Sequence, residues 1–435
     1  MRPHGMQAKQ FLYLAAAGLL TVSCSRRDVS PAGTFSANGI EFTAAEAAQI
    51  LKLTPLPDLP HDPRNRHSSD ARAVALGRQL FYDPRLSANG SISCATCHDP
   101  SRHWTDGKRV AEGLGRVARN TPTLWNVAYN RWQFWDGRRD TLWAQSVAPI
   151  ENVNEMGSNR LRIYWRVAEE PGMRRAYEDL FGSLPALDSG KETRDARPVA
   201  EDPRHPMHRA WLALTDADRD RVNRCMSNLG KAVEAFERTM ITPEAAFDRF
   251  GAGLRRRDQS AMDSMAPAAL RGLRLFIGRG QCVLCHSGPN FTDREFHNIG
   301  LDRGAGELDT GRFRGIEAVK ADEFNGNGVY SDDLSLTANI ALHYVAQQPN
   351  NLGEFKTPTL RNVARTAPYM HDGRFADLRA VLSFYSRLDQ QPAIGHREES
   401  LRPLNLSARD MDDLIAFLES LANELPGTQF RPPGP

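Results

Sequence analysis

Hydrophobic positions along this chain recur mostly at helical spacing. In "LRAVLSFYSRL", Leu378, Val381, Leu382 and Tyr385 fall at i, i+3, i+4 and i+7, so they share one helix face that must look inward. "DADRDRVNRCMSNLGKAVEAFERTMI" reads as a longer helix, and Cys225 within it reads as a buried structural thiol. Strand patterns are few, which predicts a mainly α fold. Two stretches interrupt the helical pattern. "SLPALDSGKETRDARPVAEDPRHPMHR" is rich in Pro and charge and reads as an exposed insertion; a Gly- and Asp-rich insertion runs from "LDRGAGELDTGRFRG" to Gly353.

The first residues follow another pattern. A basic "MRPHGMQAKQ" precedes the ten-residue apolar run "FLYLAAAGLL" and then "TVSCSRR". That is the layout of a secretory signal, residues 1–24, and the run is too short to span a bilayer. Cys24 resembles a lipidation site, with Thr21 where leucine is usual. The expectation is export to the periplasm, with Cys24 a candidate lipid anchor.

Composition adds little. The 435 residues suffice for two or three domains, and 40% hydrophobic with 25% charged residues is ordinary for a soluble protein. A net charge of +2 gives no reason to expect nucleic acid as a partner.

The cysteines change the picture. Cys94, Cys97 and His98 form "CATCH", and Cys282, Cys285 and His286 form "CVLCH". The C-x-x-C-H spacing attaches c-type haem: the thiols add across the vinyl groups and the histidine ligates iron. A dithiol redox pair or a split zinc site would not explain a histidine after both pairs. Two covalent haems are therefore expected.

A phrase is also written twice. "TPTLWNVAYNRWQFWDGRRDTL" (Thr121–Leu142) and "TPTLRNVARTAPYMHDGRFADL" (Thr357–Leu378) agree at 11 of 22 positions, offset by 236 residues. Helix-like "ALGRQLF" and "LRGLRLF" precede the two haem motifs. Duplication of a haem domain accounts for both features, with residues 25–242 as the first domain and 243–435 as the second. At the same offset Trp135 stands against His371, Gln145 against Val381 and Pro149 against Tyr385. If the last position faces iron, the second haem gains a phenol ligand and the first keeps an open side. A core aromatic is the other reading of Tyr385.

With these motifs the chain resembles the bacterial di-haem cytochrome c peroxidase family, in its MauG-like branch. The likeness runs from Leu76 to Leu421, through both C-x-x-C-H sites, "RNTPTLWNVAYNRWQFWDGR", "ENVNEMG" and "FKTPTLRNVARTAPYMHDGR". The resemblance implies two cytochrome c-like domains with a calcium ion between them, held by the Asn120 side chain and the Thr366 and Pro368 carbonyls. It implies a peroxidatic haem at His98 and an electron-relaying haem at His286, with Trp135 between them. It places Gln145 and a catalytic Glu155 in the peroxide pocket, and Tyr385 as the second haem's distal ligand, where ordinary peroxidases have methionine. Glu112 stands where other members hold a loop histidine over the first iron, so that haem is expected to be five-coordinate. His103 is the alternative distal ligand there, Met370 the alternative at the second haem, and His371 a hydrogen-bonding neighbour.

The expected chemistry is reduction of hydrogen peroxide, with Glu155 moving the proton and Gln145 orienting the oxygens. Taken without the resemblance, Glu155 reads first as a helix-cap or ion-pair residue. Electrons would come from a small cytochrome c or cupredoxin, or the oxidising power would fall on a partner protein as in MauG. A non-catalytic di-haem electron-transfer cytochrome is the reading from another class.

Overall fold

The computed structural model describes residues 34–188, 193–199, 202–301, 308–424, 430 and 432. The leader and Cys24 lie outside them. Among the described residues there are fifteen α-helices and two two-stranded antiparallel sheets, so the fold is mainly α as the periodicity implies. None of these helices is long and apolar enough to cross a membrane.

Each half is built on one helix crossing. The Ala71–Tyr82 helix starts at Asp70, whose side chain accepts the Arg72 N–H, and crosses the Asp216–Glu237 helix. Gly77 sits at that crossing, where a methyl would overlap the Ala232 carbonyl. In the second half the Pro267–Ile277 helix crosses Ala408–Glu419, and Gly272 lies on the Asp413 carbonyl in the same way. Leu76, Leu80, Phe81, Val222 and Phe236 fill the first crossing; Leu270, Leu273, Phe276, Leu414 and Phe417 fill the second. Each such side chain contributes about 1.5–3 kcal/mol by leaving water. Cys225 lies in the first core as a buried thiol.

The letters shared by the two phrases perform the same tasks in both halves. Thr123 and Thr359 donate from Oγ1 to the carbonyls of His103 and Asn290, each at 2.7 Å, tying the phrase to the segment after its haem motif. Asn126 and Asn362 are fully buried with φ of 58° and 61°, a left-handed conformation asparagine tolerates better than most residues. Their side-chain oxygens accept the N–H groups of Thr242 and Asn423 at 2.9 and 2.8 Å, which clasps the chain just past each half's closing helix. The closing leucines, Leu142 and Leu378, each begin a helix capped by Thr141 or Asp377.

Both ends of the described chain cross over. Ala37, Phe42, Ala47 and Ile50 pack into the second core, and Phe430 packs into the first. The Pro- and charge-rich stretch is less exposed than its composition suggests: Leu184 and Ala196 are buried in the first core. Two apolar residues suffice to anchor a segment that is otherwise polar.

Candidate haem and peroxide site

One cavity of about 1330 Å³ is lined by residues of both haem motifs and both repeated phrases. It exceeds the ~300–1,000 Å³ usual for a single small-ligand pocket. His98 and His286 both line it. Each engages its Nδ1 with a backbone carbonyl: His98 with Trp104 at 3.1 Å, His286 with Phe291 at 3.0 Å. A carbonyl can only accept, so the proton sits on Nδ1 and Nε2 is left as the free ligating nitrogen. Burial pushes both imidazoles below their ordinary pKa, which keeps them neutral. Cys94, Cys97, Cys282 and Cys285 are free thiols. Burial pushes the Cys94, Cys97 and Cys282 thiols up, the last two to about 12.

The helix Leu142–Glu151 presents Gln145 and Pro149 to the cavity. The Gln145 Oε1 is buried and accepts no hydrogen bond. Glu155 follows on the next turn of chain and also lines the cavity. Its Oε1 accepts from Asn152 Nδ2 at 2.6 Å. Burial pushes the Glu155 carboxyl up, against the opposing pull of Arg138 and the Asn152 bond.

The loop between the first motif and the first phrase folds back on this turn. Leu114 N–H donates to the Glu155 carbonyl at 3.0 Å and Gly115 N–H to Asn154 at 2.8 Å. At Gly113 a side chain would overlap Glu155. Glu112 points the other way, exposed and paired with Lys108 at 2.8 Å. His103 does not line the cavity; its Nδ1 accepts from Trp125 Nε1 at 3.3 Å, and it sits beside Trp104, on the side of His98's Nδ1.

Trp135 lies where the halves meet. Its Nε1 donates to the Asn120 carbonyl at 2.9 Å. Asp136 behind it holds Arg119 at 2.6 Å and Arg138 at 3.0 Å. His371 stacks on Phe355 with ring centroids 3.5 Å apart, and burial lowers its pKa to about 4. Four residues of the Leu378–Arg387 helix, Leu378, Val381, Leu382 and Tyr385, line the cavity together. Burial holds the Tyr385 phenol well above its usual pKa, with the thiols of Cys282 and Cys285 adding to the shift. Met370 also lines the cavity.

A sequence model of the di-haem cytochrome c peroxidases matches residues 71–256. The methylamine utilization protein MauG of Methylorubrum extorquens is 35% identical over 354 residues, 81% of this chain and 78% of that protein. The chain belongs to the di-haem cytochrome c peroxidase family. It is therefore a haem oxidoreductase, and two c-type haems are its cofactors. The cytochrome-c peroxidase IdrP1 of Pseudomonas sp. strain SCT is 32% identical, over 89% of this chain and 90% of that one. A solved MauG-like protein associated with microbial copper homeostasis superposes with a TM-score of 0.59 at 25% identity, covering 87% of this chain and 98% of its own.

The donor groups of this peroxidase-family chain suit haem. Two neutral imidazoles each keep one nitrogen free, two thiol pairs are unpaired, and both histidines line the cavity with Cys97, Cys282 and Cys285. Arg119, Arg138 and Lys356 also line it, and Lys356 has no acidic partner among the described residues. Burial lowers its pKa to about 8. Such cations match the carboxylates that haem carries. The oxygens expected to hold calcium also meet one test: Asn120 Oδ1 and the Thr366 and Pro368 carbonyls accept no hydrogen bond from other described residues, and all three residues line the cavity. Asn120 uses its amide nitrogen instead, donating to the Lys108 carbonyl at 2.9 Å.

Sequence reasoning missed Phe355, Arg138 and Lys356. Lys356 was findable, since it stands one residue before its phrase, as Asn120 does before the other.

Proposed function

We propose that this chain is a periplasmic di-haem peroxidase that reduces hydrogen peroxide at an open haem held by His98. His286 and Tyr385 would hold a second haem, and Trp135 would carry oxidising equivalents between the two sites. The observation that carries this reading is Gln145: a buried amide oxygen with no partner, in the same cavity as a carboxyl of raised pKa. Leaving a buried acceptor unsatisfied costs about 1–3 kcal/mol, and a pure electron carrier gains nothing from it.

Bound haem supplies an iron that takes up and passes on electrons. The protein's own part is positioning and proton movement. Gln145 holds an amide toward the cavity to orient peroxide. Glu155, whose carboxyl burial pushes up, takes a proton from one peroxide oxygen and gives one to the departing oxygen. Glu112 does not line the cavity, and none of the loop residues that do, Arg109 to Ala111 and Arg116 to Arg119, is a histidine, so reduction is not needed to open the site. Tyr385 supplies an anionic oxygen once deprotonated, which favours higher oxidation levels than a thioether does. Asn120, Thr366 and Pro368 supply neutral oxygens for a calcium ion between the halves.

Electrons come from a small donor protein or from a residue on a partner protein. The 35% identity to MauG and the phenol at position 385 favour the second of these. Adding cyanide, then peroxide, to the diferric protein tests the proposal by absorption spectroscopy. One haem should bind each ligand at once; two haems that ignore both would leave only an electron carrier.

A further inference from the structure

The repeated phrase differs at its fifth letter: Trp125 in the first copy, Arg361 in the second. Arg361 is buried and paired, donating to Asp248 and to the Pro289 carbonyl, each at 2.9 Å. Trp125 is equally buried, at 1% exposure. Its indole N–H donates to Nδ1 of His103 at 3.3 Å. An imidazole that accepts at Nδ1 carries its proton on Nε2 and is neutral. Burial, and then the charge of Arg365, hold His103 below its ordinary pKa.

Three other indoles of this half are placed differently. Trp135 donates to a carbonyl, and the Nε1 atoms of Trp104 and Trp143 meet no acceptor. Trp125 is also well placed. It lines the haem cavity and meets Trp104 edge-on, centroids 6.1 Å apart. The Trp104 carbonyl is the one that fixes His98.

We propose that Trp125 and His103 form a proton-coupled oxidisable pair beside the first haem site, holding one oxidising equivalent when no electron donor is present. The proposal rests on the peroxidase reading above. Reducing hydrogen peroxide to two waters takes two electrons and two protons. Trp125 gives one electron and the haem site the other; the two protons come from solvent through the cavity. As the electron leaves, the Nε1–H bond breaks and the proton bonds to Nδ1 of His103. A neutral indolyl radical and an imidazolium remain. An electron from a donor protein, with the same proton returning, restores the pair. Arg365 disfavours the imidazolium, which drives that return. At the matching place in the second half, the guanidinium of Arg361 would oppose a positive hole.

The test is freeze-quench electron paramagnetic resonance of the diferric protein mixed with hydrogen peroxide and no donor. The expected result is an organic radical whose hyperfine pattern changes when tryptophan carries ring deuterium. It should vanish in Trp125→Phe and be shorter-lived in His103→Gln. The same radical, equally long-lived in both variants, overturns the proposal. If Trp125→Phe takes up no haem, the lifetime in His103→Gln decides. Cyanide binding and peroxide consumption are followed on the same samples; failure of both in the parent refutes the peroxidase reading instead. In that case a photogenerated ruthenium(III) oxidant replaces peroxide, and the pair stands or falls by the same two variants.

Discussion

The backbone N–H of Lys356 donates to the carbonyl of Trp135 at 2.8 Å. Shifted by the repeat offset, Asn120 N–H donates to the carbonyl of His371, also at 2.8 Å. Each phrase thus begins by holding the aromatic of the other phrase. Trp135 is fixed from both sides, its carbonyl by the second half and its indole N–H by the Asn120 carbonyl of the first. A residue that passes electrons between two sites gains from such anchoring, because little reorganisation accompanies each transfer. The interlock also means that neither half completes its part of the cavity alone.

Glu155→Gln removes the proposed proton carrier and keeps an oxygen to accept from Asn152. Peroxide turnover should fall by about 10²–10⁴, the usual worth of a positioned acid–base group. The equilibrium affinity for cyanide, which a proton shuttle does not alter, should change far less. Gln145→Leu should mainly slow peroxide binding. Stopped-flow traces of the haem absorption bands separate the two, and equal losses in all three measurements would remove Glu155 from the mechanism.

Much of this was legible in the sequence. Cysteine and histidine spacing located both haem motifs, and helical periodicity put Leu378, Val381, Leu382 and Tyr385 on one cavity-facing surface. The duplication was visible as shared letters, but the exchange of Trp135 and His371 between halves was not. Backbone hydrogen bonds leave no trace in side-chain identity. The burial of Leu184 and Ala196 was hidden for a related reason: average polarity over a segment conceals one or two anchoring residues. Crossing of the chain ends into opposite cores is likewise a tertiary choice that local pattern does not record.

Gly373 has φ of 61°, and a methyl there would overlap the backbone of Arg109. That contact seats the loop leading to Glu112 against the second half. Gly373→Ala combines a disfavoured conformation with a clash against backbone, which cannot move aside as a flexible side chain does. A loss of about 2–3 kcal/mol is expected, read as a lower melting temperature of the haem-loaded protein. An unchanged melting temperature would mean the loop is not held there.

Tyr385→Phe removes the phenol oxygen and leaves the ring that packs against Phe384, whose centroid is 5.1 Å away. Volume is nearly conserved, so the cost in stability should be under about 1.5 kcal/mol. The spectrum should nevertheless change: one low-spin ferric signal is lost and the other haem is untouched. Tyr385→Met should restore a six-coordinate haem of higher potential. If both haem signals survive Tyr385→Phe unchanged, the phenol is a core aromatic and Met370 becomes the residue to vary.

Glu237 gives the clearest dependence on pH. It is 3% exposed, and its nearest polar contact is the Ser146 hydroxyl, a long hydrogen bond at 3.5 Å. Burial, then the nearby Glu234 carboxyl, raises its pKa to about 8, whereas an unfolded glutamate titrates near ~4.3. The folded state therefore binds the extra proton between those values. The stability this provides is complete below the unfolded pKa and is lost as pH rises through about 8. Glu237→Gln keeps the shape and cannot ionise. Between about pH 6 and about pH 9, which bracket the folded pKa, the parent's melting temperature should fall more steeply than the variant's. Parallel curves would show that Glu237 finds solvent or a cation in the folded protein and does not hold the extra proton.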